Sequence, residues 1–377
     1  MHRSAFRRIP LGWRLIARDW ARFLITVAGA GVALALILFL VGVYEGVKSE
    51  SNGYVQSRPV SAWVAQRGTN NLVRGTSFLG GGVTKKLQDI GAVGGVAPLL
   101  RLITTLQVNG RPYTGFVCGI EPGLPATMPV VVEGNAAISP GEMLVDRAFA
   151  RRTRLSVGDS VSVQDKTFRV AGFTSGTNAV ITQFMFVSLA DAQKLLPAGL
   201  QQIVSYVLVT AKPGVTPQAV VTDIRGKAPE LEVFTAAQFA QNNLDELRNG
   251  LLPILATISI FGGVVGAAVL TLLLYSLILE RRDDYALLKA LGVGRGYLRR
   301  LVLQQCLLAV GWGLLFGVVI CVAAQPLIGS LVPVLVLSIS WRAAALIGFA
   351  ALIMGALGAW LPLVRLERIY PAEVFRA

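Results

Sequence analysis

The chain has 377 residues and a formal net charge of +14, and only 15% of its residues are charged against 54% that are hydrophobic. Soluble domains carry roughly 25% charged residues, so this composition predicts that much of the chain lies in lipid. One histidine and three cysteines exclude a His/Cys zinc cluster and a Ser-His-Asp arrangement. Cys118 stands alone in the large polar region, which excludes a disulfide framework there.

Long uncharged runs predict the membrane spans. A spanning helix needs about 20 mostly apolar residues, and four regions qualify: Phe23–Val43, Leu251–Leu279, Leu301–Ser340 and Ala343–Val364. The third region is too long for one span, and its prolines predict that the helix ends near Ala324. The first run exceeds the ~7–15 residues of a signal peptide and no A-x-A-like site follows it, so it is predicted to be a retained anchor.

Lysine and arginine are concentrated in three segments, which are the first 22 residues, the loop after the second span and the tail after the fourth span. Together these segments hold fifteen bases and six acids, which accounts for nine of the fourteen net positive charges. Because basic loops remain on the cytoplasmic side, both termini and this loop are predicted to be cytoplasmic. The excess of basic over acidic residues thus reflects membrane topology, and no nucleic-acid partner is expected.

These patterns predict an α-helical integral membrane protein with four transmembrane helices and a large α+β extracytoplasmic domain inserted between helices 1 and 2. The segments in order are a cytoplasmic N-terminal segment (1–22), transmembrane helix 1 (23–46), the extracytoplasmic domain (47–246), transmembrane helix 2 (247–279), a cytoplasmic helix and loop (280–300), transmembrane helix 3 (301–324), a short extracytoplasmic loop (325–341), transmembrane helix 4 (342–364) and a cytoplasmic tail (365–377). The inserted domain is long enough to bury a core of its own.

Turn and capping signals organise the extracytoplasmic domain. Asn109-Gly110 between two apolar runs predicts a two-residue hairpin, and Ser160–Val163 with Thr167–Val170 predicts a second one. Ser188 is predicted to cap one helix, and Thr235 with Gln238 forms a capping-box pattern before a helix that leads into the second span. Gly80-Gly81-Gly82 predicts a flexible loop.

No catalytic constellation is visible in this domain. Its carboxylates are scattered without a recognisable spacing and are interpreted as solvated or capping groups: Glu121, Glu133, Glu142, Asp146 and Asp159. We therefore predict no catalytic residue, cofactor site or metal site in this chain.

The most informative segment follows the second span and runs from Glu280 to Gly292. It predicts a short helix with acids in its first turn and Lys289 in its last turn, an arrangement that suits the helix dipole. The helix is apolar enough to require a packing partner. One interpretation is an elbow lying on the bilayer surface, and the other is a coupling helix that docks into a partner ATPase.

This segment resembles the E-R-R-x-E-x-x-x-L-K/R-A-L-G signature of MacB/FtsX-type, or type VII, ABC transporter permeases. The matching positions are Glu280, Arg281, Arg282, Leu288, Lys289, Ala290, Leu291 and Gly292, whereas Asp284 stands where the family usually has glutamate. Further resemblance lies in Pro140–Val145, Val157–Asp159, Phe168–Gly172, Val187–Leu196 and the closing Tyr370–Arg376. The opening Ile9–Trp13 with Arg22–Gly31 resembles the DevC-type exporter subgroup.

The resemblance implies a permease subunit that does not hydrolyse ATP itself. ATP and Mg²⁺ are expected in a separate cytoplasmic ATPase, since the sequence has no G-x-x-x-x-G-K-[ST] loop. It also implies a second permease copy, an extracytoplasmic membrane-fusion adaptor, contact with membrane lipids and a location in the bacterial inner membrane. The residues expected to couple the ATPase are Glu280, Arg281, Arg282, Asp284, Tyr285, Leu288, Lys289, Leu291 and Gly292.

Three functions remain open from the sequence. The first is export or extrusion of an amphipathic cargo, such as a lipid, glycolipid, lipoprotein or peptide. The second is an FtsX-like regulator that activates a cell-wall hydrolase by mechanotransmission. The third is a sensor or membrane enzyme without an ATPase. The roughly 200-residue extracytoplasmic domain looks more like the MacB core than the smaller FtsX loop, which favours export.

Small residues recur in the predicted spans at the spacing of close helix packing: Gly262 and Gly266, Gly313 and Gly317, and Gly355 between two alanines. Two interpretations are open. One is packing between helices of the same chain, and the other is a homodimer interface on one of these faces.

Overall fold

The computed structural model describes residues 20–50, 52–178, 183–331 and 337–367. The predicted N-terminal segment up to residue 19, the motif Ile9–Trp13 and the tail motif Tyr370–Arg376 lie outside these residues. The chain divides into two compact units. Of the described residues, the helical unit contains 20–45, 254–326 and 337–367, and the sheet unit contains the rest.

The described residues form eleven helices and ten strands. The helices are α1 (Trp20–Glu50), α2 (Gly53–Gln56), α3 (Gly82–Gln88), α4 (Arg147–Thr153), α5 (Leu189–Gln193), α6 (Pro217–Lys227), α7 (Ala236–Asn249), α8 (Leu251–Leu279), α9 (Arg282–Ala290), α10 (Arg295–Leu331) and α11 (Trp341–Glu367). The strands are β1 (Ala62–Gln66), β2 (Val93–Val108), β3 (Arg111–Ile120), β4 (Val130–Gly134), β5 (Glu142–Asp146), β6 (Ser160–Val163), β7 (Lys166–Ser175), β8 (Phe184–Ser188), β9 (Tyr206–Ala211) and β10 (Leu231–Thr235).

All ten strands belong to one mixed sheet in the order β10-β1-β9-β2-β3-β8-β5-β7-β4, with β6 paired to β2 and β7. Most neighbours are antiparallel, and the pairs β3–β8 and β5–β7 are parallel. One core cluster is rich in aromatic side chains, among which Trp63 stacks on Phe239 at a ring-centroid distance of 4.6 Å. The α+β character predicted for the inserted domain is therefore confirmed.

The predicted hairpins are confirmed. Asn109 and Gly110 both have positive φ, at 50° and 74°, and they join β2 to β3 with Val108 paired to Arg111. A two-residue turn of this kind matches the right-handed twist of the flanking strands. The second hairpin joins β6 to β7 through a two-residue turn that begins at Gln164, whose φ is 51°.

The predicted helix caps are confirmed as well. Thr235 Oγ1 accepts a hydrogen bond from the backbone N–H of Gln238, whose side chain accepts in return from the Thr235 N–H. Ser188 caps α5 by accepting from the Asp191 N–H. These bonds satisfy backbone donors that a helix start otherwise leaves unpaired.

Three predicted boundaries differ from the structure. Gly82 begins α3, so the glycine run is not wholly a loop. A break at Gly250 separates α7 from α8, so the capped helix does not continue into the second span. Helix α10 contains Pro326 and ends at Leu331 instead of Ala324. Proline removes one backbone donor, a loss that a long apolar helix tolerates when neighbouring groups satisfy the freed carbonyl.

Among the described residues, three helices are long and apolar enough to cross a membrane, over Phe23–Ser49, Leu251–Leu279 and Gly296–Gly329. They contain the first three predicted spans. For the fourth predicted span, the backbone of α11 is helical from Trp341 to Glu367, but the apolar stretch with described side chains is the shorter segment Trp341–Ala356.

The glycines singled out in the spans lie against helices of the same chain. A Cβ on Gly266 would lie 2.9 Å from the Cδ1 atom of Ile37, and Gly262 faces Leu40, both on α1. A Cβ on Gly317 would lie 2.8 Å from the carbonyl oxygen of Gly31, and Gly313 also faces α1. Gly355 of α11 faces Val310 of α10.

Packing within one chain is therefore the interpretation that the structure supports for these five glycines. Within one chain α1 packs against the Gly262/Gly266 and Gly313/Gly317 faces, and a homodimer interface on one of these faces stays a prediction. Small residues let helix backbones approach closely, which in lipid is a main source of helix association.

Gly317→Ala is expected to destabilise the protein by about 1–3 kcal/mol, since the added methyl group would meet backbone atoms that cannot rotate away. Gly311→Ala on the same helix is the matched control, because nothing lies within 4 Å of a Cβ at that position. Thermal unfolding in detergent measures both variants. Equal melting temperatures for the two variants would contradict the close approach of α1 and α10.

Candidate functional site

Helix α9 is the centre of the segment that the sequence singled out. Helix α8 ends at Leu279, and Glu280 and Arg281 form the turn before α9. The Glu280 carboxylate accepts a hydrogen bond from Ser276 Oγ at 3.1 Å. Asp283 and Asp284 occupy the first turn of α9, where negative charge interacts favourably with the free N–H groups.

Gly292 ends α9 with a left-handed turn. Its φ is +84°, its N–H donates to the carbonyl of Lys289 at 3.1 Å, and the Val293 N–H donates to the carbonyl of Leu288 at 3.1 Å. This pair of bonds is the Schellman motif, in which a glycine follows the last helical residues and satisfies their carbonyls. The glycine of the signature therefore has a structural role that its position predicts.

One face of α9 is anchored in the helical unit. Tyr285 is 3% exposed, and its hydroxyl donates to Gln305 Oε1 on α10 at 2.6 Å. Burial raises the pKa of the Tyr285 hydroxyl, while the neighbouring Arg281 charge opposes that shift. Ala286 is buried, and Leu288 packs against the cluster that contains Tyr285. This face holds α9 against α10, and α9 also contacts α11.

The opposite face of α9 presents leucine to solvent. Leu287 is 54% exposed and Leu291 is 73% exposed, and residues four apart lie one above the other on a helix. Tyr297 at the start of α10 is also exposed, as are the charged side chains of Arg282 and Asp283. The surface of Leu287, Leu291 and Tyr297 is called the leucine face below.

Both Leu288 and Leu291 are predicted from the sequence to be coupling residues, but the structure places them on different faces. Leu288 lies three residues after Tyr285 and shares its buried side, whereas Leu287 was missed and lies on the exposed side. The i, i+4 spacing of Leu287 and Leu291 was the available signal. Gln305, which fixes Tyr285, was also missed because it lies within an otherwise apolar run next to a second glutamine, Gln304.

Comparison with known proteins places the chain in a family. Residues 23–227 match the MacB-like periplasmic core domain family, and residues 256–371 match the FtsX-like permease C-terminal family. The uncharacterized ABC transporter permease Rv0072 of Mycobacterium tuberculosis is 25% identical over 94% of this chain and 95% of its own length. A second permease of that organism, Rv2563, is 25% identical over 77% of this chain and 78% of its own length.

The periplasmic region of MacB from Actinobacillus actinomycetemcomitans superposes with a TM-score of 0.39 and 11% identity, covering 50% of this chain and 94% of that one. The two family matches and the relatives define the class of protein as an ABC transporter permease. This chain belongs to the MacB/FtsX-type family of such permeases, as the resemblance of the signature segment predicted. It is a membrane protein, and permeases of this class work with a partner ATPase.

Gly292→Ala is expected to destabilise the end of α9 by roughly 1 kcal/mol, because an L side chain at a φ of +84° is strained. Gly294→Ala is the control, since Gly294 has ordinary φ and open space around its Cα. Hydrogen exchange of the α9 amides measures local opening. If Gly292→Ala exchanges no faster than Gly294→Ala, the left-handed turn is not required.

Proposed function

We propose that this chain is the permease subunit of an ABC exporter in the bacterial inner membrane. A separate cytoplasmic ATPase binds ATP and Mg²⁺, and its movement is transmitted through the permease to the extracytoplasmic domain. That movement drives export or extrusion of an amphipathic cargo, which is a lipid, glycolipid, lipoprotein or peptide. A second permease copy and an extracytoplasmic adaptor complete the assembly.

The leucine face is the observation that supports ATPase coupling. Leu287 of α9 and the residue that caps this helix, Leu291, are each more than half exposed. Burying one such leucine against a partner contributes about 1.5–3 kcal/mol. The other side of the same helix is fixed to α10 by the Tyr285–Gln305 hydrogen bond and by packing. A movement of the leucine face would therefore be transmitted to α10, because α9 is packed against that helix.

The signature residues divide into three roles under this proposal. Tyr285, Leu288 and Gly292 shape and anchor α9. Leu291, together with the newly assigned Leu287, contacts the ATPase. The charged residues Glu280, Arg282, Asp284 and Lys289 surround this surface and set its electrostatic complementarity, which governs partner choice and association rate more than affinity.

Export is favoured over hydrolase regulation by the size of the extracytoplasmic domain. The MacB-like match extends over residues 23–227, which contain nine of the ten strands. The outer domain of this chain is thus built around a ten-stranded sheet with its own core.

The Leu287→Asp, Leu291→Asp double variant is expected to weaken ATPase binding by about thirtyfold or more, because two buried apolar contacts are replaced by carboxylates. Co-purification of the ATPase and its stimulated ATP hydrolysis measure the effect. Melting of the permease alone should stay near the wild-type value.

Two variants make this experiment specific. Leu200→Asp changes an exposed leucine of the sheet unit and should leave ATPase binding unchanged. Leu288→Asp should lower the melting temperature, since its side chain packs inside the helical unit. Unchanged recruitment and hydrolysis with the double variant would show that the leucine face is not the coupling surface.

Four spans with both termini in the cytoplasm are part of this proposal. A reporter placed at Ser338, between α10 and α11, should be active only outside the cytoplasm, and one placed after Ala377 only inside it. Paired alkaline phosphatase and fluorescent protein fusions measure the two positions. Both reporters on the same side would mean that α11 does not cross the membrane.

A further inference from the structure

The end of the helical unit near α9 contains buried donors that lack acceptors. Among its described residues, the fully enclosed side-chain atoms without a hydrogen-bond partner in the protein are Arg281 Nη1, Arg281 Nη2 and Gln305 Nε2. Arg281 is 6% exposed and Gln305 is 2% exposed. Each of these three nitrogens carries N–H groups and none of them can accept a hydrogen bond. All three unpartnered atoms are therefore hydrogen-bond donors, and the site lacks acceptors.

The donors converge on Tyr285. The Tyr285 hydroxyl is bonded to Gln305 Oε1, which leaves the amide nitrogen of the same side chain unpaired. The Arg281 carbonyl accepts from the Tyr285 N–H at 3.1 Å, so the arginine lies one helical turn away. Burial raises the pKa of the Tyr285 hydroxyl, and the Arg281 charge is close enough to lower it in part.

Neighbouring carboxylates do not neutralise Arg281. The Glu280 carboxylate accepts from Ser276, Asp283 is exposed, and none of the acids at the start of α9 hydrogen-bonds to the Arg281 guanidinium. A buried charge without a partner is strongly unfavourable, so proteins pair such groups with an anion or a polar ligand.

The position of Arg281 indicates which anion is available. It follows the apolar helix Leu251–Leu279 by two residues, which places it beside the end of a candidate span. Phospholipid phosphates lie at this level of a bilayer, and basic pockets between spanning helices bind anionic head groups.

We propose that Arg281 and Gln305 form a binding site for the phosphate group of a phospholipid head group. The guanidinium donates two parallel hydrogen bonds to phosphate oxygens, which is the geometry that arginine favours. The Gln305 amide, held in orientation by Tyr285, donates a third. Arg281 lies in the turn between α8 and α9, next to the end of the apolar helix. The site lies on the anchored side of α9, opposite the leucine face.

The test uses the purified full-length permease in detergent, without its ATPase. Phosphatidylglycerol is titrated and binding is followed by native mass spectrometry and by the rise in melting temperature. Wild type and the matched control Arg282→Gln should retain the lipid, whereas Arg281→Gln should bind it about tenfold or more weakly. Digalactosyldiacylglycerol, a lipid without phosphate, should not replace it.

Further measurements distinguish a lipid phosphate from a free phosphate ion. If inorganic phosphate competes with phosphatidylglycerol at millimolar concentration, the site binds phosphate, but its ligand is the free ion and not a lipid head group. Equal lipid binding by Arg281→Gln and Arg282→Gln would overturn the proposal. So would a stabilisation of wild type that appears only when the ATPase is added, because a partner carboxylate would then be the acceptor. If Arg281→Gln does not fold, Gln305→Glu keeps an acceptor for the Tyr285 hydroxyl, removes the amide donor and is expected to weaken lipid binding.

Discussion

The close approach of α1 to both α8 and α10 is the constraint on which the helical unit depends. In lipid, apolar side chains gain nothing by leaving an apolar solvent, so shape and backbone proximity must hold helices together. Glycines on α8 and α10 supply the necessary space, and Gly31 of α1 lies against Gly317. The thiol of Cys321 also donates to the Ala35 carbonyl at 3.3 Å. Because α1 packs against both α8 and α10, the three helices form one block, against which α9 packs.

That block explains why a nine-residue helix can act as a connecting element. An isolated helix of this length is unstable in water, yet α9 has acids at its start, a Schellman turn at its end and a buried tyrosine bonded to α10. Its two sides then have different tasks. The anchored side carries Tyr285, next to the unpartnered donors of Arg281 and of Gln305 on α10, and the other side presents Leu287 and Leu291.

Local signals in the sequence predicted much of the fold. The Asn109-Gly110 hairpin and the Thr235–Gln238 capping box are confirmed because both depend on interactions between residues close in the chain. The Pro326 boundary was wrong because a tertiary environment can satisfy the carbonyl that proline frees. The assignment of the segment Glu280–Gly292 to ATPase coupling stays a prediction, and the structure adds that Leu288 is partly buried against the helical unit whereas Leu287 is exposed.

The sequence by itself determined the membrane character, the position of the inserted domain, the short helix after the second span and the family, because these follow from composition, local spacing and a contiguous signature. Only the tertiary structure decided which glycines face α1, which side of α9 is free and that Gln305 holds Tyr285. These features join residues twenty to nearly three hundred positions apart, and no local pattern encodes which helix a given face will meet.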